Sequence, residues 1–61
     1  MAVTEFHITA HNPKGLNYDE LHSTLPKAIQ TARVILQRGG TEVTINGNLL
    51  PDHIVAAILA A

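Results

Sequence analysis

Residues 25 to 47 read Leu25-Pro26-Lys27-Ala28-Ile29-Gln30-Thr31-Ala32-Arg33-Val34-Ile35-Leu36-Gln37-Arg38-Gly39-Gly40-Thr41-Glu42-Val43-Thr44-Ile45-Asn46-Gly47. Two periodicities sit back to back in this stretch. Leu25, Ala28, Ile29, Ala32, Ile35 and Leu36 fall on one helical stripe, with Lys27, Gln30, Thr31, Gln37 and Arg38 on the polar side. The Gly39-Gly40 pair stops that helix, because glycine takes up the left-handed cap without steric cost. The period then changes to two. Val43 and Ile45 point inward and Glu42 and Thr44 outward, so Thr41 to Asn46 reads as a strand. Asn46-Gly47 is the favoured pair for a tight hairpin turn. It leads into a brief further strand, Asn48 to Leu50. Pro51 then opens a last helix running to Ala61, with Asp52 in its first turn.

Upstream, Val3 to Ala10 also alternates. Thr4, Phe6, Ile8 and Ala10 take one face and Glu5, His7 and Thr9 the other, which predicts a strand with one wet face. His11-Asn12-Pro13-Lys14-Gly15 ends it in a turn or loop. Asn17-Tyr18-Asp19-Glu20 has an N-cap residue with Glu three positions on, the pattern of a capping box, so a short helical turn is expected through His22 or Ser23. Pro26 then kinks or restarts the helix. Tyr18 and Leu21 are nearly in phase with the main stripe, which favours the kinked path. The expected fold is α/β (α+β): a single domain over residues 1–61 in the order β-α-β-α. Its sheet has two or three strands, one main helix packs on one face, and oligomerisation completes it.

The chain has 61 residues and no cysteine. A domain of this size buries only about 60% of the surface its unfolded chain exposes. Domains this small often recruit a disulfide, a metal or a partner subunit. Without cysteine, disulfides and thiolate zinc sites are excluded. The formal net charge is −1, and Lys14, Lys27, Arg33 and Arg38 are scattered. No basic stripe is present to neutralise phosphates, which argues against a nucleic-acid partner. A nucleic-acid accessory domain is the weakest of the readings considered. Met1-Ala2-Val3-Thr4-Glu5 has neither a basic start nor an apolar run, so no signal peptide is expected. The longest apolar run, Ile54 to Ala61, is far shorter than the ~20 residues needed to span a bilayer. A cytoplasmic protein is expected.

Four histidines are the first residues to weigh for chemistry. On a strand His7 and His11 lie ~13 Å apart, too far to share one ion. His22 and His53 come from other elements. No metal and no cofactor is expected. His7 with Glu5 or Glu42 on the outward sheet face is a candidate acid–base pair, which would suit a small oligomeric enzyme. Gly39-Gly40 follows a helix and precedes a strand, the reverse of a phosphate-binding loop.

Misplaced apolar surface points elsewhere. Val34 lies roughly opposite the buried stripe of its helix, and Ile54, Val55, Ile58 and Leu59 occupy more than one face of the terminal helix. Large exposed apolar patches mark partner surfaces. The leading expectation is therefore a small non-enzymatic protein-binding module. It is expected to form a homodimer or higher oligomer joined by the terminal helix or by sheet edges, and to bind another protein as well. Its size suits an accessory or inhibitor protein of a phage or mobile element.

Overall fold

The computed structural model describes residues 5–61. The elements are β1 (Phe6–His11), β2 (Tyr18–His22), α1 (Leu25–Gln37), β3 (Thr41–Ile45), β4 (Asn48–Leu49) and α2 (Asp52–Ala60). The four strands form one antiparallel sheet in the order β2-β1-β3-β4. The α+β class is as expected. The sequence reading of Val3 to Ala10 as a strand begins at two residues, Val3 and Thr4, outside the described range.

Among the described residues the sheet has four strands, not two or three, and residues 18–22 are a strand, not a helical turn. The order is therefore β-β-α-β-β-α. The cause lies in the asparagines. Asn17 does not cap a helix; its Oδ1 accepts the backbone N–H of Asn12 at 3.1 Å. Asn12 in turn accepts the Lys14 N–H at 3.0 Å and donates from Nδ2 to the Leu16 carbonyl at 3.1 Å. Such side-chain bonds compete with helix formation. They close residues 12–17 into a hairpin loop and deliver Tyr18 opposite Ala10. Five residues bounded by Ser23 and the Thr24 cap are also too few to offset the cost of nucleating a helix.

Helix α1 starts where Thr24 Oγ1 accepts the Lys27 N–H at 3.4 Å, with Pro26 in the first turn, where its missing N–H is harmless. It ends in a Schellman motif. Gly40 N–H donates to Ile35 O at 2.9 Å and Gly39 N–H to Leu36 O at 3.1 Å, with Gly39 at φ +88°. Ala28, Ala32 and Ile35 bury the helix against Ile8, Ala10 and Val43 of the sheet. Phe6, Tyr18, Leu36, Ile45 and Leu50 close over this cluster. Alanines on the buried stripe let the helix approach the strands closely, but they make a small core. Among the described residues only Ile8 and Ile35 are large and fully buried.

The β3–β4 hairpin turns on Asn46 (φ 53°) and Gly47 (φ 81°), the two left-handed residues of a type I′ turn. Between β1 and β3 the register slips: Thr9 faces Thr44 but His11 faces Thr41. Glu42 carries this bulge at φ 54°, a conformation costly for a side chain other than asparagine or aspartate. Helix α2 leans on α1 and, among the described residues, on no strand. Among the described residues no helix covers the far face of the sheet, and the molecule is thin, at 36 × 25 × 16 Å. No helix among the described residues is long and apolar enough to cross a membrane.

Candidate functional site

Strand β2 is an edge strand, and among the described residues no strand pairs with its outer side. Backbone polarity can be followed across the sheet from one pair. The Asn46 N–H donates to the His7 carbonyl at 2.8 Å, so His7 turns its polar groups toward β3. Polar groups alternate sides along a strand. Phe6, Ile8 and Ala10 therefore bond toward β2, where His22, Glu20 and Tyr18 face them. This leaves Asp19 and Leu21 with N–H and C=O aimed outward at the bare edge.

Side chains alternate by the same rule. Tyr18, Glu20 and His22 lie on the helix-bearing side with Ile8 and Ala10, while Asp19 and Leu21 lie on the open side with His7 and Thr9. On the helix side, β2 and α1 enclose a groove of about 480 Å³. Glu20, His22, Lys27, Thr31, Val34 and Arg38 are among its lining residues. His22 is positioned here by a 2.8 Å hydrogen bond between its Nε2 and Thr31 Oγ1, and Glu20 Oε1 lies 3.7 Å from the same nitrogen. Val34 is 39% exposed at the groove.

The open face has a polar centre with apolar flanks. Thr9 and Thr44 hydroxyls bond each other, and His7 Nε2 lies 2.5 Å from Asp19 Oδ1. Leu21 on β2 and Leu49 on β4 are each 62% exposed.

The sequence-derived candidates divide between these surfaces. His7 meets Asp19, which comes from the strand not foreseen; Glu5 precedes β1 in solvent, and Glu42 sits at the bulge. Of the apolar candidates, Val34 joins the groove. Ile54 and Leu59 are exposed on α2 and Val55 is half-buried. Ile58 is the buried residue of α2, only 6% exposed within the single chain. The terminal helix is thus separate from the β2 edge. His11 and His53 are exposed, and no group of three or more His, Asp or Glu side chains among the described residues could hold a metal ion.

Sequence reasoning missed Asp19, Glu20, Leu21 and His22 as an edge. A signal was present. A loop rich in Asn, Pro and Gly straight after a strand is the usual sign of a hairpin return. Comparison with family models, with curated proteins and with solved structures finds no match to this chain.

Proposed function

We propose that this chain is a non-enzymatic protein-binding module that works as a homo-oligomer. One observation carries the reading: β2 presents a five-residue edge, unpaired among the described residues, beside a groove floored by α1. A bare edge is a template for another strand, since it offers ordered backbone donors and acceptors. Proteins normally blunt such edges with lysine, proline or a very short strand. The opposite edge, β4, is blunted by having two residues. Strand β2 contains no lysine and no proline, and its charges are the two carboxylates of Asp19 and Glu20. The small core supports the same reading, because an added subunit is a common remedy in a domain of this size. A cysteine-free chain needs no oxidising compartment to fold, which supports a cytoplasmic place of action. The test is the native mass of the full chain by sedimentation equilibrium over a wide concentration range. The expected result is a reversible shift from 6.6 kDa to an integer multiple. A single 6.6 kDa species at every concentration would overturn the oligomeric reading.

A second reading rests on the His7–Asp19 contact. A carboxylate that orients an imidazole is the core of an acid–base unit. The pair is nevertheless open to water, at 47% and 71% side-chain exposure, and the nearby Thr9 hydroxyl is bonded to Thr44. Hydrolysis of an activated ester that disappears in His7→Asn would favour this reading. Equal rates in both proteins would remove its support.

A further inference from the structure

We infer that the occupant of the β2 edge is β2 of a second copy, paired antiparallel about a twofold axis through Leu21. The inference rests on the self-association proposed above and specifies its geometry. An antiparallel strand pair of identical chains has its axis perpendicular to the sheet, so some residue must face its own copy. The candidates are the residues of β2. Centring on Glu20 sets carboxylate against carboxylate in a pair with no backbone bonds between them, where opposed Cα atoms approach to about 4.5 Å. Centring on Asp19 repeats the clash one residue earlier. Like charges directly opposite are destabilising. Centring on Tyr18 or His22 leaves half of the strand overhanging.

Centring on Leu21 satisfies both the backbone and the side chains. Leu21 has its N–H and C=O aimed outward, so it forms two reciprocal backbone bonds with its own copy. Its exposed side chain gains an apolar partner on the open face. Glu20 then faces His22 of the second copy, and His22 faces the second copy's Glu20, on the helix side. These are two carboxylate–imidazole pairs in the closely spaced class. Asp19, the other residue with outward backbone groups, falls opposite the second copy's Ser23. Thr24 is still extended, at φ −132° and ψ 148°, before the helix begins. The joined sheet has eight strands, with both α1 helices on one side. Val34, exposed at the groove, gains cover from the neighbouring helix.

The chain has no cysteine, so single cysteines report the register cleanly. In the predicted dimer, residue 21 lies about 5.5 Å from its own copy, within disulfide range. Residue 20 lies diagonally, roughly 7–8 Å from its own copy, at or beyond that range. Leu21→Cys, Glu20→Cys and Asp19→Cys each alter an exposed side chain and should leave the fold intact, checked by circular dichroism. Under mild oxidation, Leu21→Cys is expected to convert largely to covalent dimer and the other two to remain mostly monomeric on denaturing gels. Preferential cross-linking of Glu20→Cys or Asp19→Cys would overturn the register. A dimeric parent chain with no cross-link at any of the three positions would overturn the β2 interface while leaving self-association standing. A parent chain that is monomeric throughout would overturn both.

Discussion

Asn46 and His7 hold each other by two hydrogen bonds of 2.8 Å: the His7 N–H donates to Asn46 Oδ1, and the Asn46 N–H donates to the His7 carbonyl. One side chain thus extends the β1–β3 ladder beyond the last strand residue while its backbone starts the hairpin turn at φ 53°. Few residues meet both demands, because asparagine tolerates the left-handed region and also carries an acceptor.

Asn46→Ala should therefore lose stability on two counts. The lost bond costs about 1 kcal/mol, and a Cβ without local hydrogen bonding in the left-handed region costs about 1–2 kcal/mol more. Asn46→Gly should lose only the first. Urea denaturation of the two variants measures the difference. Equal losses would show that the backbone conformation contributes nothing.

Glu42 has the same left-handed geometry without an asparagine's excuse, and its side chain is exposed. Glu42→Gly should raise the urea midpoint, by about 0.5–1 kcal/mol in stability after the entropy of glycine is subtracted. Glu42→Val should lower it, since a β-branched residue fits that region worst. A fall for both variants would mean that the carboxylate itself stabilises the bulge.

Gly40 is constrained by space. A Cβ there would lie 2.9 Å from the Ile35 carbonyl oxygen, which already accepts the Gly40 N–H. Gly40→Ala should destabilise by about 1–3 kcal/mol. Gly39, with open space around it but φ +88°, should lose about 1–2 kcal/mol on change to Ala. Because the causes differ, the Gly40 variant should also disturb the packing of Ile35, visible as large methyl shifts by NMR. Those shifts should be small for Gly39→Ala.

Ile35→Ala removes one of the two large side chains that are fully buried among the described residues. It should cost about 2–5 kcal/mol, enough to unfold much of the population in so small a domain. Ile58→Ala should cost less, because Ile58 lies outside the main cluster and α1 is the one described element that α2 packs on. Thermal melts that ranked Ile58 above Ile35 would mean that α2 is integral to the core.

Asp19→Asn tests whether the His7–Asp19 pair supports the fold. Both side chains are open to water, so the change should cost under about 1 kcal/mol. A larger loss in urea denaturation would assign the pair a structural role beyond its exposure.

Local patterns carried much of this fold. The stripe from Ala28 to Leu36, the Gly39 cap, the alternation around Val43 and the Asn46-Gly47 turn each have one physical solution within a few residues, and each occurs where the pattern predicts. The same holds for Pro51 leading into α2. Val34 stood out in the sequence as an apolar residue on the polar side of its helix, and His7 as a histidine on the wet face of a strand; both side chains are exposed.

Tyr18-Asp19-Glu20-Leu21-His22 was not legible, because its local signals conflict. Asn17 and Glu20 match a helix cap, and no clean apolar alternation opposes them. The contest is decided by Asn12, whose bonds to Lys14 and Leu16 and whose N–H to Asn17 close the loop. It is decided too by Tyr18, which packs on a core that exists only once α1 is seated on β1 and β3. The sequence by itself determined which segments are helix or strand wherever neighbours within a few residues suffice. Only the tertiary structure decided that residues 18–22 would be a strand and would lie at the edge. Strand pairing is a contact between segments far apart in the chain, and its stability comes from partners that a local pattern does not contain.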